Sequence, residues 1–342
     1  MSAVTINDVA RQAGVSKKTV SRVINNEANV SVETRDKVMA VIQATGFKRN
    51  PLGMALAKNR SLFIALLADN PSPGYLQKLQ KGVLQYCSES NMGLFLYDCS
   101  YRSPGLVAEI EGFIDNTLAD GLILVPPLSD KKELLDMLNR RKVAYVRIGA
   151  PDAALGDSVG FDNQQAAYEL TRYLLRLKHK DIGFVLGHPD QGSSQRCEAG
   201  FRQAYAEAGI EFPEKLLVQG YYTFQSGVDA AAVLLNKTPR PTAILASNDE
   251  MAVGVLYSAH SRGLKVPDDI SVVGIDDIAL STKVWPNLTT MRQPITAIGY
   301  RAAYKLIRKL QGLPDEGPKN PEADLLTCEL IVRDSAREPG RN

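Results

Sequence analysis

Apolar positions near the start of the chain fall at helical spacing. Ile6, Val9, Ala10 and Ala13 occupy i, i+3, i+4 and i+7, one stripe on one face. Thr5 precedes them as an N-cap, with Asp8 three residues on in capping-box position. Gly14 suits the left-handed turn that ends a helix. Ser16 caps a second helix over 17–25, which turns Val20, Val23 and Ile24 inward. A third starts after Ser31, buries Val38, Val41 and Ile42, and stops at Gly46.

From Leu62 the pattern changes. Short apolar runs now alternate with amphipathic stretches: 62–68, 92–98, 121–125, 143–148, 182–187, 242–247 and 270–275. Near-continuous apolar runs predict parallel strands covered on both faces by crossover helices. Seven of them exceed one small sheet, so the pattern predicts two parallel-sheet lobes. A break over 152–161 leads from the first lobe to the second, 288–293 crosses back, and 327–332 is a final return strand.

Composition narrows the class. The 342 residues are 44% apolar and 23% charged, ordinary globular values. At about 150 residues per domain, this length predicts two domains with room for a small third. The longest apolar run, Leu62 to Ala68, is far short of the roughly 18 residues of a membrane span. The opening residues have no apolar stretch and carry Asp8, which argues against a secretory leader. Cys87, Cys99, Cys197 and Cys328 are widely spaced, which fits reduced thiols in a cytoplasmic protein. With three isolated histidines they form no metal-ligand pattern, and no cofactor is expected.

Charge is uneven. Residues 1–60 hold ten Lys/Arg against four Asp/Glu, a net of +6; the rest hold thirty against thirty-four, a net of −4. The outer face of the second helix presents Lys17, Lys18, Ser21, Arg22 and Asn25, donors without an acid among them. Two short helices joined by a glycine turn, with a donor-only face on the second, read as a helix-turn-helix whose second helix enters the major groove of double-stranded DNA. A small three-helix bundle with a solvated basic face is the plainer alternative.

Residues 5–25, 30–38, 46–51 and 55–57 resemble the opening of the LacI/GalR family of bacterial transcription regulators. The resemblance implies that Lys17, Lys18 and Arg22 face base edges. It makes Ser16, Thr19, Ser21, Asn25 and Thr34 candidates for phosphate contacts, and Thr5 and Asn50 further DNA-binding candidates. In that family, paired hinge helices fold on the operator and wedge a leucine into the minor groove. Leu56, with Ala57 beside it, matches that place, whereas Gly53-Met54 departs from the usual Ala-Arg. The implied organisation is a DNA-binding domain at 1–48, a hinge helix at 49–60 and a periplasmic-binding-protein-like effector and dimerisation domain at 61–335. Its N-lobe comprises about 61–160 and 293–322, its C-lobe about 161–292 and 323–335, and 336–342 is a polar tail.

In open α/β sheets ligands bind beyond the carboxyl ends of strands. Those ends carry Asp69, Asn70, Arg147, Asn248, Asp249, Asp276 and Asp277, with Tyr221 and Tyr222 before a helix start. Amides, carboxylates and an aromatic ring suit a polyhydroxylated small molecule. Helix capping is the other fate of a strand-end Asp or Asn. The resemblance singles out Asn248, Asp276, Gln293 and Tyr222, and Tyr75 joins the set. The family's pocket arginine is displaced here: Cys197 stands at its spacing before Gly200-Phe201, with Arg196 one position earlier. A buried Arg147 needs a partner, either Asp162 or an acidic group on the ligand.

The function so implied is a repressor of a catabolic operon, a homodimer on a pseudo-palindromic operator, controlled by a sugar-like effector. A co-repressor-dependent regulator of another pathway, such as nucleobase metabolism, uses the same residues with the opposite sign. No nucleophile elbow and no dinucleotide fingerprint is present. The glycine-rich stretch 187–193 lacks the lysine of a phosphate loop, so an enzyme is not expected.

Overall fold

The computed structural model describes residues 4–24, 29–47, 61–150, 155–317 and 325–340. They belong to two compact units that divide between Leu62 and Phe63.

In the first unit, α1 (Ile6–Ala13), α2 (Lys17–Ile24) and α3 (Val32–Thr45) pack around Val9, Ala13, Val20, Val23 and Val38. Local chemistry sets their ends. Asp8 N–H donates to Thr5 Oγ1 at 3.3 Å and Thr5 N–H to Asp8 Oδ2 at 3.0 Å, a complete capping box. Ser16 Oγ accepts from Thr19 N at 3.1 Å, and Ser31 Oγ from Thr34 N at 3.3 Å. Gly14 and Gly46 close α1 and α3 at φ +63° and +61°, where a side chain would be strained.

The second unit holds two six-stranded sheets. The first contains β1 (Phe63–Ala68), β2 (Gly93–Asp98), β3 (Gly121–Leu124), β4 (Ala144–Ile148), β5 (Ser158–Phe161) and β11 (Leu325–Leu326), in the order β11-β5-β4-β3-β1-β2. The second contains β6 (Ile182–Leu186), β7 (Leu217–Gln219), β8 (Ala243–Ala246), β9 (Ser271–Asp276), β10 (Thr289–Arg292) and β12 (Glu329–Ile331), in the order β12-β10-β9-β8-β6-β7. Every pairing is parallel except β10 with β12. Strands β1, β3, β8 and β9 are almost wholly buried, as their unbroken apolar runs require.

Helices cover both faces of each sheet. The first lobe carries α4 (Pro73–Glu89), α5 (Leu106–Thr117), α6 (Lys132–Arg140) and α11 (Ile295–Gln311). The second carries α7 (Asn163–Arg176), α8 (Gly192–Ala208), α9 (Phe224–Leu234) and α10 (Asp249–Ser261).

The crossings differ from the sequence reading in detail. The expected break over 152–161 contains β5, still part of the first sheet, so the chain leaves that lobe only at Phe161–Asn163. The stretch 288–293 is itself a strand of the second sheet, and the return follows it into α11. Leu325 and Leu326 pair with β5, so the last crossing falls between them and Glu329. Nor is the chain beyond Ser335 a loose tail through its described length. Ser335 is fully buried, Ser335 O accepts from Val272 N at 2.8 Å, and Arg337 N donates to Ser271 Oγ at 3.1 Å. Its polar letters concealed contacts made largely by the backbone.

Candidate ligand-binding cleft and nucleic-acid interface

A cleft lies between the two lobes, lined by the carboxyl ends of nearly every strand. From the first lobe come Asn70, Ser72, Tyr75 and Phe161; from the second, Gln191, Ser193, Tyr222, Ser247, Asn248 and Asp276, with Gln293 at the return crossing. The enclosed space is small, about 80 Å³.

Asp276 ends β9 at φ +126°, a strained value for a non-glycine residue and a mark of functional sites. Its Oδ1 accepts from Gln293 Nε2, and it is 4% exposed. Burial, reinforced by the nearby Asp249, raises its pKa well above the ordinary carboxylate value. Gln293 Oε1 is buried with no hydrogen-bond partner among the described residues. Leaving such an acceptor unmet costs about 1–3 kcal/mol.

Asn248 does two jobs. Its Oδ1 accepts from Met251 N at 2.9 Å, which caps α10, and its Nδ2 donates to Tyr222 O at 3.0 Å. Capping and cavity lining therefore coexist at this residue. Tyr222, held at φ +62°, brings its hydroxyl 3.2 Å from Ser193 Oγ inside the cavity. On the opposite wall, Asn70 Oδ1 accepts from Ser72 N at 2.9 Å, and Ser72 Oγ accepts from Tyr75 N at 3.4 Å, which fixes the start of α4. Beneath the cleft, fully buried Asp249 accepts from Thr290 Oγ1 at 2.6 Å and from Ile278 N at 2.9 Å. Burial pushes its pKa up to about 7 despite those bonds.

Two expected pocket residues lie elsewhere. Arg147 is 1% exposed and sits behind the cavity wall formed by Ile148 and Gly149. Its partner is Asp130, at 3.3 Å, and it also donates to Ser129 O at 3.3 Å and Ala150 O at 3.5 Å. Asp162 instead caps α7 by accepting from Gln165 N at 3.0 Å. Arg196 is exposed on α8, and Cys197 takes the lining position. One residue along a helix is a rotation of about 100°, enough to carry a side chain from the cleft to solvent. Burial raises the Cys197 thiol to about 12, so it lines the wall as an unreactive thiol.

Sequence reasoning missed Gln191, Ser193 and Ser247. Extending the strand-end rule to the loops after β6 and β8 finds all three.

In the first unit, Lys17 and Lys18 are exposed on α2, while Ser21 and Arg22 are half-buried. Thr5, Ser16 and Thr34 lie at helix starts, where their side chains take part in capping, and Thr19 bonds Ser16. Asn25, Asn50, Leu56 and Ala57 lie outside the described residues.

Residues 5–50 match the family described as bacterial regulatory proteins, lacI family, and residues 171–336 match a periplasmic binding protein-like domain. The HTH-type transcriptional regulator DegA of Bacillus subtilis (strain 168) is 32% identical over 335 residues, 97% of each chain. The chain belongs to the LacI family. Like its LacI-family relatives it is a transcription regulator with a helix-turn-helix domain and an effector domain, not an enzyme. Two solved structures share this architecture. The lac repressor dimer bound to operator and the anti-inducer ONPF has a TM-score of 0.76 at 27% identity, covering 98% of this chain and 100% of that one. The transcriptional regulator CelR–cellobiose complex has a TM-score of 0.73 at 29% identity, covering 97% and 100%. Among the described residues of this LacI-family chain, no helix is long and apolar enough to cross a membrane, and no three His, Cys, Asp or Glu gather to hold a metal.

Proposed function

We propose that the protein is a ligand-controlled repressor of a catabolic operon, that it binds a pseudo-palindromic operator as a homodimer, and that its effector is a neutral polyhydroxylated molecule of the sugar class. The observation that carries the ligand assignment is the buried pair Asp276–Gln293 with its unmet acceptor, in a cavity that Tyr222 lines from the same lobe and Tyr75 from the other. Carboxyl and amide groups offer paired hydrogen bonds to neighbouring hydroxyls, and phenol rings cover the C–H faces of a sugar. The relative solved with cellobiose supports the same class. With Arg147 neutralised by Asp130 behind the wall, its charge is not available to select an anion.

Lys17, Lys18 and Arg22 are the groups that read base edges in this account. Thr5, Ser16, Thr19, Ser21 and Thr34 meet phosphates, as do Asn25 and Asn50, and Leu56 with Ala57 forms the minor-groove wedge. Exposed Leu84 and Leu96 in the first lobe, and Val233 and Tyr257 in the second, supply apolar surface for a dimer. Strand β2 is an open sheet edge as well. The relative solved as a dimer on its operator supports that assembly. A ligand held between two lobes favours their closure, a hinge motion that can alter the hinge segments of two protomers together.

A thermal-shift screen tests the ligand class. A ligand at 100 times its Kd adds about 2.7 kcal/mol of stability, and each kcal/mol moves the midpoint on the order of 2 to 4 °C. Neutral sugars or glycosides are the expected hits. Hits confined to nucleobases or to phosphates would replace the sugar reading.

A further inference from the structure

The cleft does not end at the cavity just described. A second cavity of about 470 Å³ adjoins it, and the same loops supply neighbouring residues to both. Asn70 lines the inner chamber and Asp69 the outer; Pro126 the inner and Pro127 the outer; Tyr222 the inner and Tyr221 the outer. Gln191 borders both. Neighbouring residues of one loop thus border different chambers, so each loop serves both at once. The two are consecutive rooms along one cleft.

The outer room has its own chemistry. Tyr101, from the first lobe, and Tyr221, from the second, meet the His188 ring edge-on, each with centroids 5.6 Å apart. Arg102 Nη2 lies 2.9 Å from His188 Nε2, and Tyr101 OH donates to the Asp190 carboxylate; both contacts join one lobe to the other. Asp69 Oδ2 accepts from Tyr101 N at 2.8 Å. The charges decide the occupant. Burial, the larger effect, and Arg102 lower the His188 pKa while Asp190 opposes them, so the ring is neutral at neutral pH. Among the described residues, the lining of this room then carries one cation, Arg102, and one carboxylate, Asp69, so it has no net charge to hold an anion. A phosphate or carboxylate would meet Asp69 as well as Arg102, whereas a neutral ring bearing hydroxyls finds donors, acceptors and two phenol faces.

We propose that this outer chamber is a second saccharide subsite, and that the effector is a neutral two-ring saccharide or glycoside with one ring in each chamber. The inference rests on the sugar reading above and extends it. Arg102 and Tyr101 release His188 and Asp190 as the ligand enters, then close over its outer ring.

The test is calorimetric titration of the full-length protein with methyl glucoside, galactoside and xyloside, and with maltose, cellobiose, lactose and xylobiose. At least one disaccharide is expected to bind about tenfold more tightly than the monosaccharide of the same ring, the gain a well-placed aromatic face gives. Tyr221→Ala then lowers disaccharide affinity to the monosaccharide level. Tyr221 is 44% exposed, so its loss does not open the core, and an unchanged melting midpoint verifies this. Equal affinity for one and two rings, or a disaccharide preference untouched by Tyr221→Ala and by Arg102→Ala, overturns the outer subsite and leaves the sugar reading standing. Absence of binding by every saccharide overturns both.

Discussion

At the scale of single residues, the cleft is organised by buried carboxylates that are held from water. Asp249 is the clearest case, because its pKa of about 7 stands far above its ordinary 3.8. A carboxyl whose folded pKa is raised contributes stability below its unfolded value and loses it as pH rises through the folded one. Stability of the effector domain is therefore expected to fall between about pH 4 and about pH 7 on account of this group. Asp249→Asn keeps an acceptor for Ile278 N and a partner for Thr290, without the charge. Melting midpoints measured at about pH 5 and about pH 8 are expected to drop less in the variant than in the parent; an equal drop would place the titration elsewhere. Residues of this kind were half-legible in the sequence. A strand end names Asp276 and Asn248, because topology alone puts such positions at a cleft. It does not say that Arg147 pairs with Asp130, since that pairing depends on a short turn at Leu128–Asp130 that no periodicity announces. Arg196 shows the same limit, with a single residue of helix phase deciding between cavity and solvent.

At the scale of elements, local chemistry wrote the boundaries it could write. Thr5 with Asp8, Ser16, Ser31, Gly14 and Gly46 each carry their own reason to start or stop a helix, and each does so in the structure. Strands β5 and β7 lack the unbroken apolar run that marks the equally short β3 and β8, since Ser158, Gly160 and Gln219 interrupt them, and so they lie inside what reads as connections. Helix packing was also invisible. Helices α4 and α11 cross so closely that a Cβ on Gly82 would lie 1.9 Å from Thr296 O, and one on Gly299 2.2 Å from Leu79 O. Alanine at Gly82 gains about 1 kcal/mol of helix propensity. The clash is with backbone and cannot be relieved by a rotamer, and overpacking of that kind costs about 1–3 kcal/mol or more. Gly82→Ala is expected to lower the melting midpoint of the effector domain, read by circular dichroism; an unchanged or higher midpoint would show that the two helices are free to move apart.

At the scale of the whole molecule, the division of labour was legible from charge and period together. A basic segment with helical spacing precedes a slightly acidic body of buried strands. Membership of the LacI family joins the two as reader and sensor. In the proposed function, occupancy of the cleft sets operator affinity. Fluorescence anisotropy on a duplex selected from a random pool by the purified protein tests it, with titrations run in the absence and presence of the saccharide that binds most tightly. In the parent protein a saturating saccharide is expected to change operator affinity by about fivefold or more, the usual range of allosteric coupling. A weakened complex identifies an inducer and a strengthened one a co-repressor. In Asp276→Ala the unliganded protein is expected to bind the duplex as the parent does and to ignore the saccharide. Operator affinity that stays the same in the parent at saturating saccharide would contradict the account.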